Sequence, residues 1–264
     1  MKNFRLLIVA IATSLFNLTF TLTPLAAQDT IRVMTININQ GADNSLEEIG
    51  KYIKKYNPDL VALQEVDMRP NRHYVQHQKG KNFIAELSYY TDMVGVFGKA
   101  FSRPTNWDYG NAVLSKYSIT KSEAIKLPNR HNYEPRVILL TTIDVNDKKV
   151  CFASVHLCVE DKATRAAQIK FIKRLMRKQK ADYKFICGDF NSTPTEQLVS
   201  KNLKRWTDAL DEDVKTFPAQ GEALIKIDYI LYEKKSHLEV INSEIKCEDT
   251  LSDHCSCLVD FIVK

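Results

Sequence analysis

The sequence predicts one α/β domain in which mixed β-sheets carry helices on their outer sides. A strand, helix, strand pattern occurs twice, in 31–66 and again in 149–188. Apolar runs of strand length fill much of the rest. No linker rich in Gly, Ser or Pro and no repeat of solenoid period divides the chain. With 264 residues, 44% hydrophobic and 26% charged, it can bury a core. Only 8 Gly and 8 Pro exclude collagen-like and low-complexity classes.

The first element is not part of the domain. Met1 to Arg5 is short and basic, 6–16 is mostly apolar, and Leu25-Ala26-Ala27-Gln28 resembles a small-residue cleavage site. Residues 1–27 therefore read as a secretory signal and 28–264 as the mature chain. Asn17, Thr19 and Thr21 interrupt the apolar run, which argues against a permanent anchor, and no later run is long enough to span a bilayer. The expectation is a secreted or periplasmic monomer with no stable membrane insertion after cleavage. The formal net charge is +5, and Lys2 and Arg5 supply two of those charges. So weak a bias does not by itself indicate nucleic-acid binding, which needs a localised basic patch.

Within the mature chain, 31–38 reads as a strand. Residues 45–56 read as an amphipathic helix, because Leu46, Ile49, Tyr52 and Ile53 recur at helical spacing and Asn44 or Ser45 can cap it. Residues 60–66 form the next strand. Further on, 83–87 reads as helix, and 93–97 and 111–114 as strands. The runs 137–145 and 149–157 read as an antiparallel hairpin turning at Asn146-Asp147. Ala166, Ile169, Ile172 and Leu175 mark a helix over 163–178 with Asp161 as its cap. Strands follow at 185–188, 227–232, 238–245 and 255–263. The basic run Lys173, Arg174, Arg177, Lys178 and Lys180 reads as a solvated helix face.

Six cysteines lie in the mature chain. An even count in an exported protein permits disulfides, with Cys247 the natural loop partner. Chain size and the apolar settings of Cys151 and Cys187 favour free, buried thiols. His254-Cys255-Ser256-Cys257 lacks zinc-ligand spacing and reads as strand alternation.

Polar residues stand where the strands end. Asn37 ends one strand and Glu65 ends its partner. His156 ends another, and the strand after the following helix runs out into Gly188-Asp189-Phe190-Asn191. A right-handed helical crossover brings the C-terminal ends of two parallel strands to one sheet edge, where α/β sheets place ligands. Asn37 should therefore neighbour Glu65, and His156 should neighbour Asp189 and Asn191. Buried carboxylates there need a partner, and Mg²⁺ suits one or two carboxylates with amides and waters. Asp228 interrupts an apolar run, and Ser252-Asp253-His254 offers a general acid or base that an adjacent carboxylate can orient.

Seven segments then match a known pattern in order: Thr35-Ile36-Asn37, Leu63-Gln64-Glu65-Val66-Asp67, 109–115, Ser154-Val155-His156-Leu157, Gly188-Asp189-Phe190-Asn191, Lys226-Ile227-Asp228-Tyr229-Ile230 and Ser252-Asp253-His254. On these the chain resembles the endonuclease/exonuclease/phosphatase superfamily, also called the DNase I-like fold, over 28–264. The resemblance implies a four-layer sandwich, two mixed β-sheets face to face with helices outside. It implies hydrolysis of phosphoester or phosphodiester bonds with Mg²⁺, or Mn²⁺ as a substitute. It casts Glu65 as principal metal ligand with Asn37 beside it, and Asp253 as a further acid near the metal. His254 becomes general base and Asp228 its orienting partner. Asp189 and Asn191 position the nucleophile and a phosphate oxygen, His156 binds phosphate, and Asn111 supports the site by hydrogen bonds.

Substrate stays open at this level. Arg69, Arg72 and His73 follow Glu65 and offer a phosphate grip, with Arg72 the substrate-binding candidate; an ordinary exposed loop is the competing expectation. The stretch 101–109 is another candidate rim; within it Trp107 can stack a base or meet lipid, but packing suits it better. The partner is a phosphate ester, whether small molecule, lipid head group or nucleic acid. A secreted nuclease and a catalytically silent binding protein on the same fold are the alternatives.

Overall fold

The computed structural model describes residues 29–104, 106–248 and 250–263. The signal segment expected over 1–27 lies outside the described residues.

Alternating apolar sequence builds two six-stranded sheets. In the first, β1 (Thr30–Asn37) runs parallel to β2 (Leu60–Met68), joined by helix α1 (Leu46–Tyr56). Ser45 caps α1 by accepting the Glu48 N–H at 3.1 Å. Strands β3 (Val94–Arg103), β4 (Trp107–Ser115), β11 (Leu238–Lys246) and β12 (Ser256–Val263) complete the order β11-β12-β1-β2-β4-β3. Helix α2 (Phe83–Thr91) packs with α1 on the outer face.

The second sheet repeats the plan. Strand β7 (Lys148–His156) runs parallel to β8 (Tyr183–Asp189), joined by α3 (Lys162–Lys178). Asp161 caps α3 by accepting two N–H groups, from Ala163 and Thr164. Strands β5 (Ile119–Lys126), β6 (Val137–Val145), β9 (Trp206–Asp208) and β10 (Asp228–Glu233) give the order β5-β6-β7-β8-β10-β9. The β6–β7 hairpin turns at Asn146-Asp147, both at positive φ, the conformation a tight two-residue turn requires. Lys173, Arg174, Arg177 and Lys178 point into solvent from α3, as does Lys180 beyond it.

Inner faces of the two sheets share one core, with Val33, Ala62 and Val259 of the first against Leu139, Phe152 and Phe185 of the second. Outer clusters join the first sheet to α1 and α2, and the second to α3 and α4 (Leu198–Asn202). The result is helix, sheet, sheet, helix: the four-layer sandwich the sequence predicts. A ladder of buried polar groups crosses the central layer near the site. Gln64 Nε2 donates to Ser154 Oγ (3.2 Å), Ser154 Oγ to the Leu63 carbonyl (3.0 Å), and Asn111 Nδ2 to the carbonyls of Val137 (3.1 Å) and Ser154 (3.2 Å).

The expectation of free cysteines is corrected at one pair. Cys247 and Cys255 form a disulfide, because the pairing of Lys246 with Ser256 sets the next residue outward on each strand opposite the other. Cys151, Cys158, Cys187 and Cys257 are free and buried.

Candidate active site

The ends of β1, β2, β7 and β8 converge with the start of β10 and the residues before β12. Asn37 Nδ2 lies 3.1 Å from Glu65 Oε1, 3.4 Å from Asp189 Oδ2 and 3.4 Å from His254 Nε2. One amide nitrogen at the end of β1 thus reaches residues of β2 and β8 and of the segment before β12. The register pairs His156 with Asp189 and Asp189 with Asp228 across neighbouring strands. His254 Nδ1 is 3.0 Å from Asp228 Oδ2, and its Nε2 is 3.8 Å from Asp189 Oδ2. Glu65, His156, Asp189 and His254 border a cavity of about 570 Å³.

Local backbone explains why each side chain points inward. Glu65 sits where β2 slips register against β4, at φ 56°, a conformation non-glycine residues rarely adopt. The bulge turns its carboxylate toward the cavity edge, where it stays half-buried. Gln40 donates a short hydrogen bond to Glu65 Oε2, and its carbonyl accepts from Tyr74 Oη at 3.0 Å. In β8, Gly188 adopts φ 138°, and a Cβ there would lie 2.0 Å from the Val155 carbonyl oxygen. Only glycine lets β8 close onto β7 and bring Asp189 beside His156. Asn191, at φ 46°, donates its N–H to Asp189 Oδ1 (2.8 Å) and its side-chain amide to the Leu157 carbonyl (3.0 Å).

Electrostatics separates the groups. Burial alone would strip His254 of its proton, but Asp228, then Asp189 and Asp253, reverse this and raise its pKa. Burial pushes the Asp189 carboxyl up, with His254 opposing. His156 is held well below its usual range by burial, then by Arg136 and His254, so its ring is neutral. Burial raises Asp253, His254 opposes, and Glu65 and Asp43 raise it further.

Glu65 and Asp253 both line the cavity, and their like charges repel, so they offer it two hard oxygen donors. That donor set fits a hard divalent cation. Donor atoms of Asp189, Asp228 and His254 also lie within 4.8 Å of one another. We read this second cluster as a hydrogen-bonded chain instead. All three residues are buried and Asp228 already occupies His254 Nδ1.

The sequence-predicted residues come together with three qualifications. Asn37 turns its amide nitrogen toward Glu65, while its Oδ1 accepts the Asn39 N–H at 3.0 Å. It anchors Glu65 rather than offering an oxygen to a metal. Asn111 contacts strand carbonyls beneath the site and acts at one remove. Arg72 is corrected: its guanidinium takes both Asp67 oxygens (2.6 and 3.2 Å), donates to Tyr74 Oη (2.6 Å) and lies 4.1 Å above the buried Trp107 ring. It lines the cavity with its guanidinium bonded to Asp67 and Tyr74, and it is buried although Asn71, His73 and Tyr74 beside it are exposed. Arg103, in the candidate rim 101–109, lines the cavity, whereas sequence reading misses Gln40, Glu134 and Arg136, which line it too. The signal for Arg136 was its place next to the apolar run 137–145, one strand from His156.

The profile of the Endonuclease/Exonuclease/phosphatase family matches residues 34–254. Nocturnin of Rattus norvegicus is 24% identical over 250 residues, covering 79% of this chain and 56% of that protein. The chain thus spans little more than half of that relative. Nocturnin of Xenopus laevis is 25% identical, covering 88% of this chain and 72% of that protein. Among solved structures, an endonuclease/exonuclease/phosphatase of Bacteroides vulgatus superposes with TM-score 0.71 at 19% identity, over 90% of this chain and all (100%) of that one. A Bacteroides thetaiotaomicron mannosyl-6-phosphatase superposes with TM-score 0.65 at 15% identity, over 88% and 99%. These structural likenesses show the shared fold. The chain belongs to the endonuclease/exonuclease/phosphatase family.

Proposed function

We propose that this protein is an exported, Mg²⁺-dependent phosphodiesterase or phosphatase in which His254 activates water against phosphorus. The observation that carries the reading is the His254 ring held between Asp228 on Nδ1 and Asp189 near Nε2, beside the Glu65 and Asp253 carboxylates. Glu65 and Asp253 would hold Mg²⁺, with Mn²⁺ able to substitute; when bound, it supplies Lewis-acid stabilisation of charge on the phosphoryl oxygens. Asp228 accepts from Nδ1–H and orients the ring; the carboxylates around His254 raise its pKa, and with that charge offset by a divalent cation on Glu65 and Asp253 the Nε2 lone pair is free to take a proton from water. Asp189 and Asn191 hold that water and a phosphoryl oxygen in line. His156, neutral and at the cavity wall, donates to a second oxygen. Export rests on the N-terminal signal pattern.

Hydrolysis of a 4-nitrophenyl phosphoester with Mg²⁺ tests the reading. We expect chelator to abolish turnover and His254→Ala to reduce it ~10²–10⁴-fold. Wild-type protein that turns over no ester with any divalent metal would leave only a silent binding role. Nicking of plasmid DNA in preference to small esters would assign a nuclease.

A further inference from the structure

One wall of the cavity carries more positive charge than the reaction scheme uses. Arg136, on the approach to β6, is buried; its Nη1 lies 2.9 Å from His156 Nδ1, 3.3 Å from Glu134 Oε1 and 3.4 Å from Tyr109 Oη. Arg103, at the end of β3 and more exposed, donates through Nη2 to Glu134 Oε2 at 2.9 Å. The Nε–H of each is buried without an acceptor. Two guanidinium groups therefore share one carboxylate, while the neighbouring Arg72 is cancelled by Asp67.

Arg136 also decides what His156 presents. A guanidinium nitrogen can only donate, so His156 Nδ1 must offer its lone pair. The ring proton then sits on Nε2, which lies 3.4 Å from Asp189 Oδ2 at the cavity. His156, Arg136 and Arg103 thus form a wall of donors with surplus positive charge. A phosphodiester brings two non-bridging oxygens and one negative charge to such a wall. A terminal phosphoryl group brings three oxygens and nearly two charges. Arginine forks suit that group geometrically.

We propose that Arg136 and Arg103 build, with His156, a donor-only cradle for a terminal phosphoryl group, which makes phosphomonoesters the preferred substrate class. Arg103 touches the phosphoryl oxygens. Arg136 does so too, and it is the positioning residue that fixes the His156 tautomer. The proposal rests on the hydrolase reading above and deepens it.

The test separates the two. Calorimetry with Mg²⁺ present should show inorganic phosphate binding far more tightly than dimethyl phosphate, and Arg103→Ala should weaken phosphate ~10-fold, the loss of one charge-assisted bond. Arg103→Ala should also lower kcat/KM for 4-nitrophenyl phosphate several-fold more than for methyl 4-nitrophenyl phosphate. In ¹⁵N-histidine-labelled protein, NMR should find His156 protonated on Nε2, with that pattern lost in Arg136→Gln and kept in Arg136→Lys. Arg103 is partly exposed, so its variant should fold even if the Arg136 variants do not. Equal affinity for both anions, an Arg103→Ala affinity within twofold of wild type, an unmoved monoester-to-diester ratio, or an Nδ1-protonated His156 would each overturn the cradle. Phosphate binding that depends on Arg103, in a protein that cleaves no ester, would keep the cradle and sink the hydrolase reading.

Discussion

The two strand–helix–strand units share a topology and differ in how their strands end. In the first, β2 breaks register before it ends at Met68 and lifts Glu65 at positive φ to a half-buried position at the cavity. In the second, β7 and β8 stay in register to their last residues, His156 and Asp189, which are buried. An irregular end leaves a carboxylate open to an ion from solvent. A regular end buries an imidazole and a carboxylate at the cavity wall, where burial, then Arg136 and His254, keep His156 neutral, and burial raises Asp189. One topology therefore supplies an accessible donor and a desolvated proton-handling pair, and the local backbone decides which.

The sharpest way to break this contrast is at the glycine of the regular end. Gly188→Ala puts a Cβ onto the Val155 carbonyl, and we expect a loss above ~4 kcal/mol by chemical denaturation. At the irregular end, Arg72→Ala strands the buried Asp67 carboxylate, which burial already pushes up to about 6 against the pull of Arg72. A loss of ~3–5 kcal/mol should follow, seen as a lowered denaturation midpoint.

A pH series sharpens the comparison from the buried side. The native pKa of His156 lies well below its unfolded value, so between the two the unfolded chain binds the extra proton. Its contribution to stability is complete above about pH 6.5 and declines as pH falls below it. Between pH 7 and 5, His156→Gln should lose ~2 kcal/mol less than wild type, and an equal loss would contradict a neutral native ring. The smallest effect belongs to the open side. Glu65 raises the neighbouring Asp67, Asp189 and Asp253 by repulsion. In chelator, Glu65→Gln should therefore be ~1 kcal/mol more stable than wild type by denaturation, and Mg²⁺ should erase the advantage.

Most of this was legible where apolar periodicity was strong. Both units, the 137–157 hairpin and the caps at Ser45 and Asp161 follow from pattern and end chemistry alone. The sequence hid elements whose side chains serve edges: β5 is a largely exposed strand of mixed polar residues, and β9 is three residues long. Residues that follow strands were readable because strand ends mark sheet edges. Arg72 misled because an arginine after a candidate ligand resembles an anion grip, and its ion pair with Asp67 is a tertiary fact. Arg136 and Glu134 escaped because their role depends on the sheets facing each other, and Arg103 was readable only as part of a rim. The Cys247–Cys255 link depends likewise on the register of β11 against β12.

The polar rungs of Gln64, Ser154 and Asn111 carry a consequence of their own. Grease between two sheets holds them together but does not forbid sliding, since apolar contact has no direction. Directional bonds do forbid it, and here they stand directly under the chemistry. They act as dowels between two plates, fixing how far Glu65 on one plate stands from His156 and Asp189 on the other. Loops around the mouth can then be rewritten for new substrates while the spacing of the reacting groups stays as it is.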